Sequence, residues 1–145
     1  MNLDKYNLDI SENSICFYFT STGRKGTIKK IIRFQPLSKP QYYNISFGDL
    51  IDRDTVDDKN ITDNGDSQKI LATIAHAVLL FTNENKNARV IAVAHSPART
   101  RLYRIGISNN LYEITKKFHL LGLLIDNLEI FEPGMDYKEF LVMRK

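Results

Sequence analysis

The chain has 145 residues, 43% of them apolar and 26% charged, with a formal charge of +3. That is one ordinary domain, long enough to bury about 68–70% of its unfolded surface without a disulfide or metal staple, and too weakly basic for charge alone to argue for nucleic acid. Its single cysteine, Cys16, excludes an internal disulfide, and no apolar stretch approaches the ~18 residues of a membrane helix. The opening Met1–Tyr6 lacks the basic-then-apolar order of a secretory leader, so a cytoplasmic protein without a membrane partner is expected.

Ile15–Thr20 and Thr27–Phe34 are rich in β-branched and aromatic residues, and Ser21–Gly26 between them holds two glycines. The pair predicts an antiparallel hairpin with a loop of about four to six residues. Pro36 and Pro40 end it, and Tyr42–Ile51 alternates well enough for a third strand. Asp52–Asp66 is polar and acidic and carries Asn64-Gly65, which reads as an exposed loop. Asp66 or Asn64 then caps a long helix reaching about Asn83 or Asn85. That helix is apolar on nearly every side, which predicts a central position against a sheet.

Arg89–Ala94 is an unalternated apolar run, the pattern of an interior strand covered on both faces. Ser96 is a good helix N-cap and Pro97 a favoured first helical residue, so a helix to about Gly106 follows a sharp turn. A further helix, about Asn110–Leu120, has Asn110 and Glu113 in capping-box spacing, and Lys116, Lys117 and His119 suit its C-terminal dipole. Glu129–Phe131 and Tyr137–Met143, separated by Pro133-Gly134, are the final strands. The order β-β-β-α-β-α-α-β-β predicts a single α+β domain over residues 1–145, with a mixed, mainly antiparallel sheet of about five to six strands.

The densest chemical signal is Ser96–Arg104, S-P-A-R-T-R-L-Y-R. An open helix N-terminus offers unpaired N–H groups and a positive dipole end to an anion. Helical spacing puts Ala98, Leu102 and Ile105 on one face, the expected core face, with Arg99 and Tyr103 flanking one side and Arg101 and Arg104 the other. A phosphate or carboxylate there would meet the Ser96 hydroxyl, His95 and the forks of the arginines. His95, Ser96, Arg99, Arg101, Tyr103 and Arg104 are therefore a candidate surface for an anion, an acidic protein partner or nucleic acid. A structural reading of the same residues stands beside it: the arginines pair with the acidic loop or with C-terminal carboxylates, and Tyr103 packs along the sheet.

The hairpin loop is a second candidate anion site, its N–H groups joined by Arg24 and Lys25. It lacks the P-loop pattern, and a solvated hairpin tip is the plain alternative. The aspartates fail as a calcium loop. Counting from Asp52, Val56 and Asp57 stand where an oxygen ligand and a glycine are needed, and Asp63 stands in place of the closing glutamate. His76, His95 and His119 have no metal-ligand spacing, so neither a metal nor a cofactor is predicted. His76 shares a helix face with Thr73 and Leu80 and reads as a core or sheet-facing residue. No Gly-x-Ser-x-Gly or His-Glu-x-x-His pattern occurs. Two functional classes stay open on these residues: a binding module, one member of a toxin–antitoxin or defence-type pair, and a metal-independent ribonuclease with His95 and Tyr103 as acid–base groups.

Five segments together, S-T-G-R-K-G-T-I-K-K-I-I-R-F, Y-N-I-S-F-G-D, N-G-D-S-Q-K-I-L-A-T-I-A, S-P-A-R-T-R-L-Y-R and Y-K-E-F-L-V-M-R-K, resemble a family of small bacterial proteins of about this length. It is a domain family of unknown function, and the resemblance covers almost the whole chain. The second half is also similar to that of the N-acetyltransferase superfamily, where strands lead into a helix, a strand and a helix with an A-x-x-L-Y-x-x-x-G-type motif. Ala98–Gly106, A-R-T-R-L-Y-R-I-G, carries this likeness, with Tyr103 at the position of that family's tyrosine. It implies an enzyme for a nucleotide or coenzyme A derivative, with Tyr103 as the acid and main-chain N–H groups near Gly65 as the phosphate site. Where that family has a phosphate-cradling glycine loop, this chain has Asp63–Lys69, D-N-G-D-S-Q-K, whose aspartates repel a pyrophosphate.

Overall fold

Alternation in the first fifty residues builds an antiparallel ladder. The structure, a computed structural model, describes residues 4–13, 15–50, 56–57, 64–93, 97–124 and 126–145. It sets β1 (Asp9–Ile10), β2 (Cys16–Gly23), β3 (Gly26–Pro36) and β4 (Tyr42–Leu50) side by side in chain order. β5 (Val56–Asp57) pairs antiparallel with the end of β4. The chain then leaves the sheet as α1 (Ser67–Glu84) and returns as β6 (Arg89–Val93), parallel to β4. After α2 (Pro97–Asn109) and α3 (Leu111–Lys117) come β7 (Phe118–Leu123), β8 (Leu128–Ile130) and β9 (Glu139–Arg144). β9 inserts between β6 and β7, so the sheet runs β1-β2-β3-β4-β6-β9-β7-β8 with β5 beside β4.

The α+β class and the mixed, mainly antiparallel sheet are as expected, and β6 is interior as its unbroken apolar run requires. Nine strands are described rather than five or six. β1 and β5 are two residues each, too short to leave a periodic signal. β7 begins inside the stretch expected to be helical. Its register from Phe118↔Arg144 to Leu123↔Glu139 against β9 ends α3 at Lys117. Asn110 makes no side-chain cap for α3 and instead donates Nδ2 to the Gly106 carbonyl at 2.8 Å. The first hairpin turns through Arg24-Lys25 alone, because Ser21–Gly23 stay paired and Gly26 takes the left-handed conformation (φ 91°). Asn64, expected on an exposed loop, is buried, and Val56–Asp57 are strand; residues 51–55 and 58–63 lie outside the described ones.

α1 packs on the sheet face that carries Phe17, Phe19, Ile32, Phe34, Ile45 and Phe47. The Phe34 and Phe81 rings stack at 4.1 Å, and Tyr43 meets Phe81 edge-on at 4.9 Å. Two buried threonines on α1 satisfy their hydroxyls on the preceding turn, Thr73 on the Lys69 carbonyl and Thr82 on the Val78 carbonyl. His76 is half-buried on α1, where desolvation and then the Lys5 charge hold its imidazole below the usual range. Cys16, whose place inside an apolar strand predicts a buried structural thiol, is half-buried.

The buried face of α2 differs from the expected one. Arg99, Tyr103 and Gly106 point inward, while Ile105 is 41% exposed. The tyrosine ring has the most area to bury and meets Phe140 edge-on at 6.3 Å. Gly106 does not end the helix. A Cβ there would stand 2.5 Å from Leu71 Cδ1, so the glycine admits α1 at close range.

Truncating Phe81, the ring that fastens α1 to the sheet, costs about 3–5 kcal/mol in Phe81→Ala. Urea unfolding reads this directly, and a loss below about 1 kcal/mol would show that α1 is held elsewhere.

Candidate functional site where the parallel strands part

Among the described residues, β4 and β6 pair from Tyr42↔Arg89 to Ile45↔Ala92. Beyond Ile45, β4 continues to Leu50, and its last residues take β5 as neighbour. The pair therefore parts at its carboxyl end, the place where open α/β sheets admit ligands. α1 and α2 both start at this end.

Charged residues on the helix-covered face collect there. Lys30 and Asp49 are cross-strand partners on β3 and β4, two residues beyond Ile32 and Phe47 on the same face. Their side chains form an ion pair, with the lysine 0% exposed. Lys30 Nζ lies 5.6 Å from the Phe47 ring centroid, and the Arg99 guanidinium carbon lies 5.7 Å from it. Arg99, 7% exposed, donates Nη1 to the Phe47 carbonyl at 2.9 Å. A helix side chain thus serves a strand carbonyl two residues past the last β4–β6 pair.

The hairpin tip is docked onto the start of α1. Asn64 Oδ1 accepts from the Lys25 N–H at 2.7 Å, and its Nδ2 donates to the Gly26 carbonyl at 3.0 Å and Ser21 Oγ at 3.1 Å. Gly23 makes this possible, since a Cβ there would stand 2.1 Å from the Asn64 carbonyl oxygen. Asp66 precedes α1 without a side-chain cap bond; its Oδ2 accepts from the Tyr6 and Ser21 hydroxyls, each at 2.5 Å. Arg24 lies over Gly65, its Nε 3.4 Å from where a Cβ would sit.

The residues expected to form one anion surface are divided. Arg99 and Tyr103 point into the fold, Arg101 is exposed, and Arg104 pairs with Asp136 at 3.2 Å. His95 and Ser96 lie outside the described residues. Arg24 and Lys25 hold the hairpin tip beside the α1 start. Lys30, Asp49 and Asn64 join the site without belonging to any motif in the sequence. A signal for the first two is nonetheless there: each interrupts an alternation whose other members, Ile32 and Phe34 or Ile45 and Phe47, form the core.

On the same face of the sheet, between α1 and α2, lies an apolar cleft of about 130 Å³. Ile74 and Ala75 of α1, Tyr103 and Ile107 of α2, and Val90 and Ala92 of β6 line it. Burial holds the Tyr103 phenol above its ordinary value, with the Arg99 charge pulling the other way. Tyr103 is therefore a protonated, hydrogen-donating group at neutral pH. Among the described residues, no group of three or more His, Cys, Asp or Glu could hold a metal ion, and no helix is long and apolar enough to cross a membrane.

Two outcomes follow from this geometry. Arg99→Ala orphans the buried Phe47 carbonyl and loses about 1–3 kcal/mol in chemical unfolding; an unchanged midpoint would mean that the bond carries nothing. For Tyr103 the folded pKa is raised, so its share of stability is complete below about pH 10, the unfolded value, and drains as pH rises toward the folded one. Stability measured from pH 9 upward should fall less steeply in Tyr103→Phe than in the parent.

No curated protein and no solved structure matches the chain. A family of unknown function, DUF6934, matches residues 2–145, the full span over which the sequence segments and the sheet just described extend, and the chain belongs to that family.

Proposed function

We propose that the protein binds an anionic ligand with an apolar arm, of the nucleotide or coenzyme A derivative class, where β4 and β6 part. The observation that carries this reading is the apolar cleft lined by Tyr103 between α1 and α2, on the same face of the sheet as the polar carboxyl end of the parallel pair. The apolar arm occupies the cleft, and the start of α2 receives the anion, the role that the sequence motif gives to His95 and Ser96. The order of strand, α1, β6 and α2 is compatible with the acetyltransferase resemblance, and Tyr103, matched in sequence to that family's tyrosine, lines the cleft. If a reaction occurs, Tyr103 is the acid.

A melting-temperature screen against acetyl-coenzyme A and coenzyme A tests the reading. A ligand at a hundredfold excess over its Kd stabilises by about 2.7 kcal/mol. Ala75→Leu fills the cleft from a helix position that accepts leucine well, and should abolish the shift while leaving the unliganded protein folded. Silence with every ligand at millimolar concentration, or a shift unchanged in Ala75→Leu, would end this reading.

A second reading rests on the outer side of α2 and α3. Arg101 is exposed, Ile105 is 41% exposed and Tyr112 is 73% exposed. That mixture suits an acidic protein partner, as in a toxin–antitoxin or defence-type pair. Co-purification lost in Arg101→Glu but kept in Ala75→Leu would favour it over the cleft.

A further inference from the structure

The opposite end of the sheet carries a groove of about 430 Å³ that the functional reading above does not use. It forms where the β3–β4 turn, the α1–β6 connection and the end of β9 meet. Lys39, Lys86, Arg89 and Arg144 line it around Tyr42, and no carboxylate is among its lining residues. Four of the chain's 20 lysines and arginines thus share one groove, although the whole protein has a formal charge of only +3.

A structural account covers part of this cluster. The groove lies at the carboxyl end of α1, where the helix dipole is negative. Arg144 serves that end, donating Nη2 to the Leu79 carbonyl at 3.4 Å and to the Asn83 side chain. The other cations do not. Arg89 donates Nη1 to the Tyr42 hydroxyl at 2.9 Å with its guanidinium 5.4 Å from the ring centre, and Lys39 Nζ stands 4.7 Å from the same centre. None of the four forms an ion pair among the described residues. Arg144 Nε is buried without a hydrogen-bond partner.

The backbone is organised for the same arrangement. Among the described residues, Gln41 is the non-glycine residue with positive φ (70°), and its carbonyl accepts from the Arg89 N–H at 2.8 Å. A strained residue thus holds the Lys39 turn against the strand that carries Arg89. Like charges gathered without carboxylates repel one another, and a bound anion removes that repulsion.

We propose that this groove binds a phosphate group, with Lys39, Lys86 and Arg89 as its direct ligands and Arg144 as a backing charge. The phosphate comes from a free nucleotide or from the backbone of single-stranded nucleic acid; the chemistry of recognition is the same. Arg89 holds the Tyr42 phenol below its ordinary range, through the hydrogen bond first and its charge second.

The test uses the intact protein with three probes at about 50 mM salt: inorganic pyrophosphate, ATP and a labelled ten-nucleotide single-stranded RNA. Titration calorimetry reads the first two and fluorescence anisotropy the third. Lys39→Ala/Lys86→Ala should weaken binding at least tenfold. Lys29→Ala/Lys138→Ala, which removes the same charge elsewhere, should leave it unchanged, and Ala75→Leu, which fills the distant cleft, should leave the binding of pyrophosphate and RNA unchanged. The log–log salt slope for RNA should shrink by about 0.7 for each phosphate that the double variant no longer neutralises. Binding of pyrophosphate and ATP identifies a free phosphate ligand; binding of RNA alone identifies the nucleic-acid backbone. Equal losses in both lysine pairs, or no saturable binding of any probe, would overturn the proposal.

Discussion

The parallel pairing of β4 with β6 is the constraint on which the rest of the architecture depends. Antiparallel neighbours can be joined by a short turn, but a parallel neighbour requires the chain to leave the sheet and cross over it. Here α1 makes that crossing. Its apolar breadth follows, because this crossover helix lies against the sheet, meets α2 beside it and is packed by Tyr6 and Leu8 of the leading segment. Its two ends are thereby placed at the two ends of the sheet: the start beside the carboxyl end of β4, the finish beside the Lys39 turn.

The parting of this pair then creates a problem of hydrogen bonding. A strand carbonyl without a ladder partner is costly when buried. Arg99 supplies one donor from α2, and β5 takes up the end of β4. Lys30, Asp49, Asn64 and Asp66 occupy the same end as a bonded polar cluster. Buried polar groups of this kind are maintained only when paired, since each charge taken from water needs a partner. Farther along the same face only rings and aliphatic chains remain, from Phe19 and Phe47 to Phe34 and Phe81. The sheet face thus runs from polar at one end to apolar at the other, and the cleft lined by Tyr103 belongs to its apolar part.

How much of the site is legible in the sequence depends on the residue. The Ser96–Arg104 block stands out because arginine and tyrosine at a helix start are conspicuous, and Arg99 and Tyr103 do lie at the parting strands. Their direction is not legible. Helical spacing offers several faces of similar apolarity, and the choice falls to Tyr103 over Phe140 and Gly106 against Leu71, pairings between residues far apart in sequence. Asn64-Gly65 reads as a surface turn by composition, yet the hairpin tip buries Asn64. The groove around Tyr42 leaves no motif at all, for Lys39, Lys86, Arg89 and Arg144 come from three separate segments.

What the sequence determined by itself was the set of local preferences. Alternation over Cys16–Leu50, the long apolar helix and the unbroken run of β6 specify an α+β domain, because side-chain period and burial are properties of neighbouring residues. What only the tertiary structure decided was competition between such preferences. Phe118–Leu123 could continue a helix, and became a strand because β9 offered it a full register of partners. Gly106 could end a helix, and became a point of close approach because α1 arrived there. Both sites have the same origin: they assemble at the ends of a crossover, and a crossover exists only once distant strands have paired.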